Sequence, residues 1–252
     1  TKNFADFFVA IALYWSLGFA LMYGASVDGW FGASGFFFGE GASPFLIVFF
    51  FFQAMFCATA ATIISGAVAE RMRFWGYIVI TLIVSAIVYP TFGHWAWNGA
   101  EKGLALGWLG ARGFVDFAGA TAVHSVGGWA ALAAIIVIGP RMGRFAENGT
   151  PRELPASNIP SAMLGGLLLW FGWFGFNGGS TFALNAEVPG IIANTLMAGA
   201  AGGLAVFVVS WFRHGIPKIR SLVNGTLAGL VAITASSDAV TMPKSVLIGA
   251  IG

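Results

Sequence analysis

Apolar positions in this chain come in long unbroken runs. The first extends from about Phe4 to Tyr23, the second from Pro44 to Ala69, the third from Phe74 to Phe92 and the fourth from Ala118 to Ile138. After the most polar loop, Arg141 to Ile159, a fifth follows from Pro160 to Gly178, a sixth from Val188 to Phe212 and a seventh from Leu222 to Ala235. An eighth begins at Pro243. A helix needs about 20 apolar residues to cross a bilayer core. The strands of a transmembrane barrel would alternate apolar and polar residues, and these runs do not. The pattern predicts an all-α, multi-spanning helical membrane protein. Gly-rich connections such as Gly24 to Ser43, and stops such as Gly139-Pro140, separate the spans.

Composition removes the soluble alternative. Hydrophobic residues make up 58% of the chain and charged residues 9%, too few to clothe a soluble domain in polar surface. Cys57 is the single cysteine, so one chain can build neither a disulfide nor a thiolate metal site. No metal or other cofactor is expected. The formal net charge of +2 gives no reason to expect a nucleic-acid partner, and its placement says more than its size. One side of the spans receives Lys2, then Arg71 and Arg73, then Arg141, Arg144 and Arg152, then Arg213, Lys218 and Arg220. The other receives only Lys102, Arg112 and Lys244. The basic side is expected to be cytoplasmic. Small residues at Gly165-Gly166, Gly199, Gly202-Gly203, Gly225 and Gly229 mark helix faces suited to close packing. Residues 1–252 are expected to form a single transmembrane domain. Ser245 to Gly252 stop inside an apolar run, so the chain is expected to be incomplete at its C-terminal end. The inside start points to incompleteness at the N-terminal end as well.

Few residues in the spans can carry chemistry. Phe52 and Phe56 are one turn apart and stack on one face of the second span, beside Gln53; plain packing or lipid contact is the alternative. Trp173, Phe176, Asn177 and Ser180 share one stripe at the outer end of the fifth span. Aromatic faces, an amide and a hydroxyl there suit a small cation shedding water; an interfacial aromatic belt is the alternative. For Trp95 and Trp97 the belt is the stronger reading on spacing alone, and His94 reads as a satisfied core histidine, with a pathway residue as the alternative. His124 is an ionisable ring deep in the fourth span, which makes it a functional candidate by default. Its apolar surround disfavours the imidazolium, so it is expected to be neutral, able both to donate and to accept a proton. Helix packing through a backbone carbonyl is the alternative. Asp116, about two turns earlier, reads as a helix N-cap.

The stretch from Asp116 to His124, followed by Ser125-Val126-Gly127-Gly128, closely resembles the signature of the ammonium transporter (Amt/Rh) family. Phe52-Gln53-Ala54-Met55-Phe56, Ala69-Glu70-Arg71-Met72-Arg73-Phe74, Trp97-Asn98-Gly99 and Trp173-Phe174-Gly175-Phe176-Asn177-Gly178-Gly179-Ser180 follow the family's order and spacing. Together they cover nearly the whole chain. Family members usually have eleven spans, and those here resemble the second through the ninth. The resemblance implies a homotrimer in a plasma or inner membrane, with a central pore in each subunit and a cytoplasmic regulatory partner of the PII type. It implies ammonium recruitment by Phe56, Trp97 and Ser180, a gate of Phe56 and Phe176, relay through His124, and Asp116 as a structural residue of the outer mouth. The family's second pore histidine has no counterpart here: its span would follow residue 252, and neither His94 nor His214 matches it.

The mechanism so implied separates ammonium from potassium by chemistry. Ammonium can release a proton and cross an apolar pore as ammonia, with the proton relayed separately. Potassium has no proton to release, and entering an apolar medium as an ion is prohibitive. The runner-up reading is an ammonium-sensing membrane domain coupled to a cytoplasmic signalling module, in which occupancy of the same outer site biases helix positions. A channel for water or another small neutral solute is the third. An enzyme is least favoured, because no nucleophile–base pair is evident.

Overall fold

Ser43 and Pro44 show how the spans begin: the Ser43 hydroxyl accepts the Leu46 N–H at 3.3 Å, and Pro44 takes a position where its missing N–H costs nothing. The computed structural model describes residues 2–252. Its helices are α1 (Lys2–Tyr23), α2 (Pro44–Ala67), α3 (Phe74–Lys102, closing in a 3-10 turn), α4 (Ala120–Ile138), α5 (Ile159–Thr181), α6 (Val188–His214), α7 (Ile219–Thr234) and α8 (Met242–Ile251). The first six are long and apolar enough to cross a membrane, and the last two are shorter apolar helices. The protein is all-α and multi-spanning. The Gly24 to Ser43 connection holds a short antiparallel ribbon, β1 (Ser26–Val27) with β2 (Phe31–Gly32). Helix α3 runs past Phe92 through His94 and Trp97, farther than the apolar run indicated.

The chain divides into two compact units. The first holds the residues up to Val115 together with Thr121–Leu154, and so α1 to α3 and nearly all of α4. Aromatic rings knit its core: Tyr14 lies 6.0 Å from Phe19, Phe50 and Tyr89, and Phe49 lies 4.8 Å from Tyr23. Among the described residues three wide π-turns occur, two within helices at Tyr14–Gly18 and Val84–Val88 and one opening α4 at Ala120–Ser125. The second has a local cause: Pro90 lacks an N–H, and its ring crowds the carbonyl one turn back, so the turn before it widens. Asp6 on α1 is buried at 1% exposure and accepts the Tyr77 hydroxyl from α3. This pairing keeps an acidic side chain tolerable at membrane depth.

The motif Glu70-Arg71 has a structural role. The Arg71 guanidinium donates to the carbonyls of Ala67 and Gly139, at the C-terminal ends of α2 and α4, and Arg141 pairs with Glu70. A fixed cation at two helix C-termini satisfies end carbonyls and complements both dipoles. Arg71→Met should therefore lower stability by about 1–3 kcal/mol, read as a drop in the thermal unfolding midpoint in detergent. An unchanged midpoint would show that solvent serves those carbonyls equally well.

The second unit holds Asp116–Ala120 and Pro155–Gly252. Here the small-residue stripes carry the packing. A Cβ built on Gly202 would stand 2.3 Å from the Gly225 carbonyl oxygen, and one on Gly229 or Gly249 within 2.3 Å of the Ala198 oxygen. Backbones of α6, α7 and α8 thus meet directly, as lipid-embedded helices do. Gly165 differs, with no atom of the described residues within 4 Å of its Cβ position.

Candidate functional site

In the first unit the site residues come from two distant stretches. Phe52 and Phe56 on α2 have ring centroids 4.6 Å apart, and Trp97 on α3 brings its ring 6.2 Å from Phe56. Phe56 is only 3% exposed, whereas Phe51 is 63% exposed. The greasy run therefore splits: Phe51 faces outward, and Phe56 turns inward to Trp97. Gln53 is buried beside them, with the Tyr89 hydroxyl 3.5 Å from its Oε1. This buried pairing removes the lipid-facing alternative for Phe56, and it takes Trp97 out of a dispersed interfacial belt.

Trp95 and His94, neighbours of Trp97 in sequence, do other work. Trp95 Nε1 donates to the Trp30 carbonyl at 2.9 Å, and its ring packs with Trp30 and Trp108 at 5.8 and 5.6 Å. His94 is fully buried; Nδ1 lies 3.0 Å from the Met22 carbonyl oxygen and Nε2 2.9 Å from Ser26 Oγ. A carbonyl can only accept, so Nδ1 carries the hydrogen and Nε2 accepts from the hydroxyl. Both ring nitrogens are used in holding α1 and the ribbon to α3, which is a structural role.

His124 is half-buried in the π-turn that opens α4. Its level is set by the packing of α4 on α2: a Cβ on Gly127 would meet the Ala60 oxygen at 2.8 Å and Ile63 at 3.0 Å. One turn back toward each helix's N-terminus from this close approach stand His124 on α4 and Phe56 on α2. The two helices run the same way, so imidazole and phenyl ring lie at similar depth. Such π-turns are frequent at functional sites, and no feature of the sequence pattern marked this one.

The second unit carries the remaining candidates. Trp173 is 7% exposed and donates from Nε1 to Thr234 Oγ1 at 2.8 Å; Asn177 is fully buried and donates to Thr195 Oγ1 at 2.9 Å. These two thus tie α5 to α7 and α6 and belong to the packing. Phe176 is half-buried, with its ring 5.5 Å from Trp173. Ser180 lies in the closing 3-10 turn of α5 and donates its hydroxyl to the Phe176 carbonyl at 2.9 Å. Its oxygen lone pairs are thereby oriented to accept. Thr195 and Thr234, which fix the stripe, had no signal in the sequence.

Asp116 is buried at 4% exposure. Its Oδ1 accepts the N–H groups of Gly119 at 3.1 Å and Ala120 at 2.9 Å, at the start of α4. The next residues donate in turn to the end of α7, Phe117 N–H to Ala235 and Ala118 N–H to Thr234. The carboxylate thus satisfies free donors where the segment turns into a helix. Among the described residues no group of three or more His, Cys, Asp or Glu side chains is placed to hold a metal ion.

Comparison with known proteins places this architecture. The model of the Ammonium Transporter Family matches residues 1–252. A putative ammonium transporter of Synechocystis is 52% identical over 255 residues, taking in 100% of this chain and 47% of that protein. The ammonium transporter Amt2 of Archaeoglobus fulgidus is 45% identical over 257 residues, taking in 99% of this chain and 54% of its own length. The chain spans about half the length of these curated relatives. Among solved structures, one called Sensor Amt Protein superposes with a TM-score of 0.94 at 43% identity, over 99% of this chain and 62% of that one. By sequence along its whole length and by fold, the chain belongs to the ammonium transporter family.

Proposed function

We propose that the protein containing this chain moves ammonium across a plasma or inner membrane, as a homotrimer with a narrow apolar pore in each subunit. The observation that carries this reading is the buried Phe56 ring between Phe52 and Trp97, at 4.6 and 6.2 Å. Aromatic faces there can replace part of the water around a small cation. Trp97 and Phe56 recruit ammonium, and Ser180 accepts one of its N–H bonds. Phe56 and Phe176 gate the passage. Neutral His124 accepts and passes on a proton or hydrogen bond, so that nitrogen crosses as ammonia and the proton separately. Asp116 holds the outer mouth by capping the start of α4. The relatives named as transporters support conduction and not catalysis. A cytoplasmic partner of the PII type belongs to the same reading.

The recruitment step has a direct test. Ser180→Ala in the full-length protein should weaken ammonium binding by about 1.5–3 kcal/mol, the worth of a hydrogen bond to a charged group. Trp97→Leu should weaken it as well, through the loss of the aromatic face. Isothermal titration with ammonium chloride at fixed ionic strength measures both, and parental affinity in both variants would remove the recruitment roles.

A second reading, ammonium sensing, draws on the likeness to the Sensor Amt Protein. Flux separates the two. Full-length protein in liposomes that binds ammonium but does not move it would favour sensing; movement with potassium excluded favours transport.

A further inference from the structure

The first unit carries an apolar groove of about 570 Å³ between α3 and α4. One wall is the stripe of α3 from Ile87 to Trp95, and the other is the stripe of α4 from Thr121 to Ala130. Helix α4 packs chiefly on α2, where Gly127 meets Ala60, and so stands off from α3 on its other side. No charged side chain lines the groove. Its polar side chains are the hydroxyls of Thr91, Thr121 and Ser125 and the Trp95 indole, whose N–H already goes to the Trp30 carbonyl at 2.9 Å. A polar solute would give up water there for little return. The walls can be reached from outside: Trp129 is 71% exposed and Ile87 57%. The groove runs along the spans, and the rise from Ile87 to Trp95 is about 12 Å at 1.5 Å per residue. One leaflet contributes about 15 Å to a hydrocarbon core of about 30 Å, so the groove has the length of a leaflet's acyl chains.

The end at Trp95, opposite Arg71, has a different chemistry. The rings of Trp30 and Trp108 stand 5.8 and 5.6 Å from that of Trp95. Indoles of this kind collect at headgroup level. The Arg112 guanidinium lies 5.2 Å over the Trp108 ring. Phe114, two residues on, brings its ring 6.3 Å from Phe92 in the groove wall. The connection that carries Arg112 is thus anchored at the mouth of the groove, through Trp108 on Trp95 and Phe114 on Phe92. A ring face holds a cation without neutralising it. Arg112 is exposed and takes part in no ion pair among the described residues. A cation at headgroup level, above an apolar slot one leaflet deep, matches a molecule with a phosphate at one end and a long hydrocarbon chain at the other.

We propose that this groove seats one acyl chain of a phospholipid, with the lipid phosphate on the Arg112 guanidinium and the hydrocarbon along Phe92, Val88 and Trp129. The planar guanidinium offers phosphate a pair of parallel hydrogen bonds. Other lipid competes for the same surface in a bilayer, so retention depends on the fit of the chain between two walls and on the phosphate pair. The site lies wholly within the first unit. It rests on the chain spanning a membrane and stands whether or not the protein conducts.

The probe is a phosphatidylcholine with a photoreactive diazirine midway along one acyl chain, titrated into the detergent-purified full-length protein. The diacylglycerol with the same chains is the phosphate-free comparator, and labelled peptides are read by mass spectrometry. Labelling of residues 87–95 and 121–130 should saturate, whereas labelling around Phe51, exposed on α2, should rise in proportion to the probe. Arg112→Gln should raise the half-saturating concentration about fivefold, the worth of one basic residue at a membrane surface, and the diacylglycerol should show the same shift on the parental protein. Ala130→Trp, which fills the groove, should remove the saturable labelling. Should Ala130→Trp fail to fold, Arg112→Gln at its exposed position and the comparator decide. The proposal is overturned by groove labelling that only rises in proportion to the probe, by parental saturation in either folded variant, by equal saturation with the diacylglycerol, or by an unlabelled groove that another span of the full-length protein covers.

Discussion

His124→Asp in the full-length protein should end discrimination between ammonium and potassium, either by admitting potassium or by abolishing ammonium movement. The half-buried imidazole sits among Ala122, Val123 and Gly127 at the depth of Phe56. A neutral ring offers a bare cation no counter-charge, so potassium faces the full penalty of leaving water. A carboxylate changes that balance. At about 4 Å and an effective dielectric constant of about 20, a unit charge pair is worth about 4 kcal/mol, near a thousandfold in occupancy. The same attraction retains ammonium as an ion and removes its reason to release a proton. Currents or isotope fluxes in proteoliposomes, with each cation in turn, measure the outcome. A variant that moved ammonium at the parental rate and still excluded potassium would make His124 a packing residue and end the relay mechanism.

Gly229→Val should cost the protein most of its folded yield. The first atom of any side chain at that position would lie 2.3 Å from the Ala198 carbonyl oxygen, and backbone on a packed helix cannot swing aside. Forced overpacking costs about 1–3 kcal/mol when neighbours can adjust, and more when they cannot. Gly165→Ala is the matched control. Its Cβ enters open space among the described residues, and the gain in helix propensity is about 0.8–1.0 kcal/mol. The first substitution should lower the unfolding midpoint and the monodisperse fraction on size-exclusion chromatography, and the second should leave both unchanged or higher. Equal effects would mean that the α6–α7–α8 contacts are looser than their geometry.

These two glycines show where sequence reading stops. Both sit in apolar helices, and both were marked for close packing on composition alone. The structure separates them, since only one faces another backbone. The same limit applied to the aromatic residues. Phe51 and Phe56 belong to one greasy helix, and Trp95 and Trp97 to one helix end, yet one of each pair forms the Phe56–Trp97 contact and the other does not. His94 and His124 illustrate the opposite case: position alone made one structural and the other a candidate, and both ring nitrogens of His94 are indeed occupied by α1 and the ribbon.

The class of the protein, the places of its spans and the motifs of its family were legible in the chain itself. Lipid imposes a one-dimensional rule, about 20 apolar residues per crossing, and a rule of that kind writes itself along a sequence. Which face of each helix turns inward was decided by tertiary structure. A helix apolar all round carries no stripe to mark its packed side, so the pairing of Phe56 with Trp97 and of Asp6 with Tyr77 had no local signature. The same holds for the π-turn that contains His124. In lipid the hydrophobic effect does not choose between helix faces; van der Waals fit and hydrogen bonds do, and both exist only once distant segments meet.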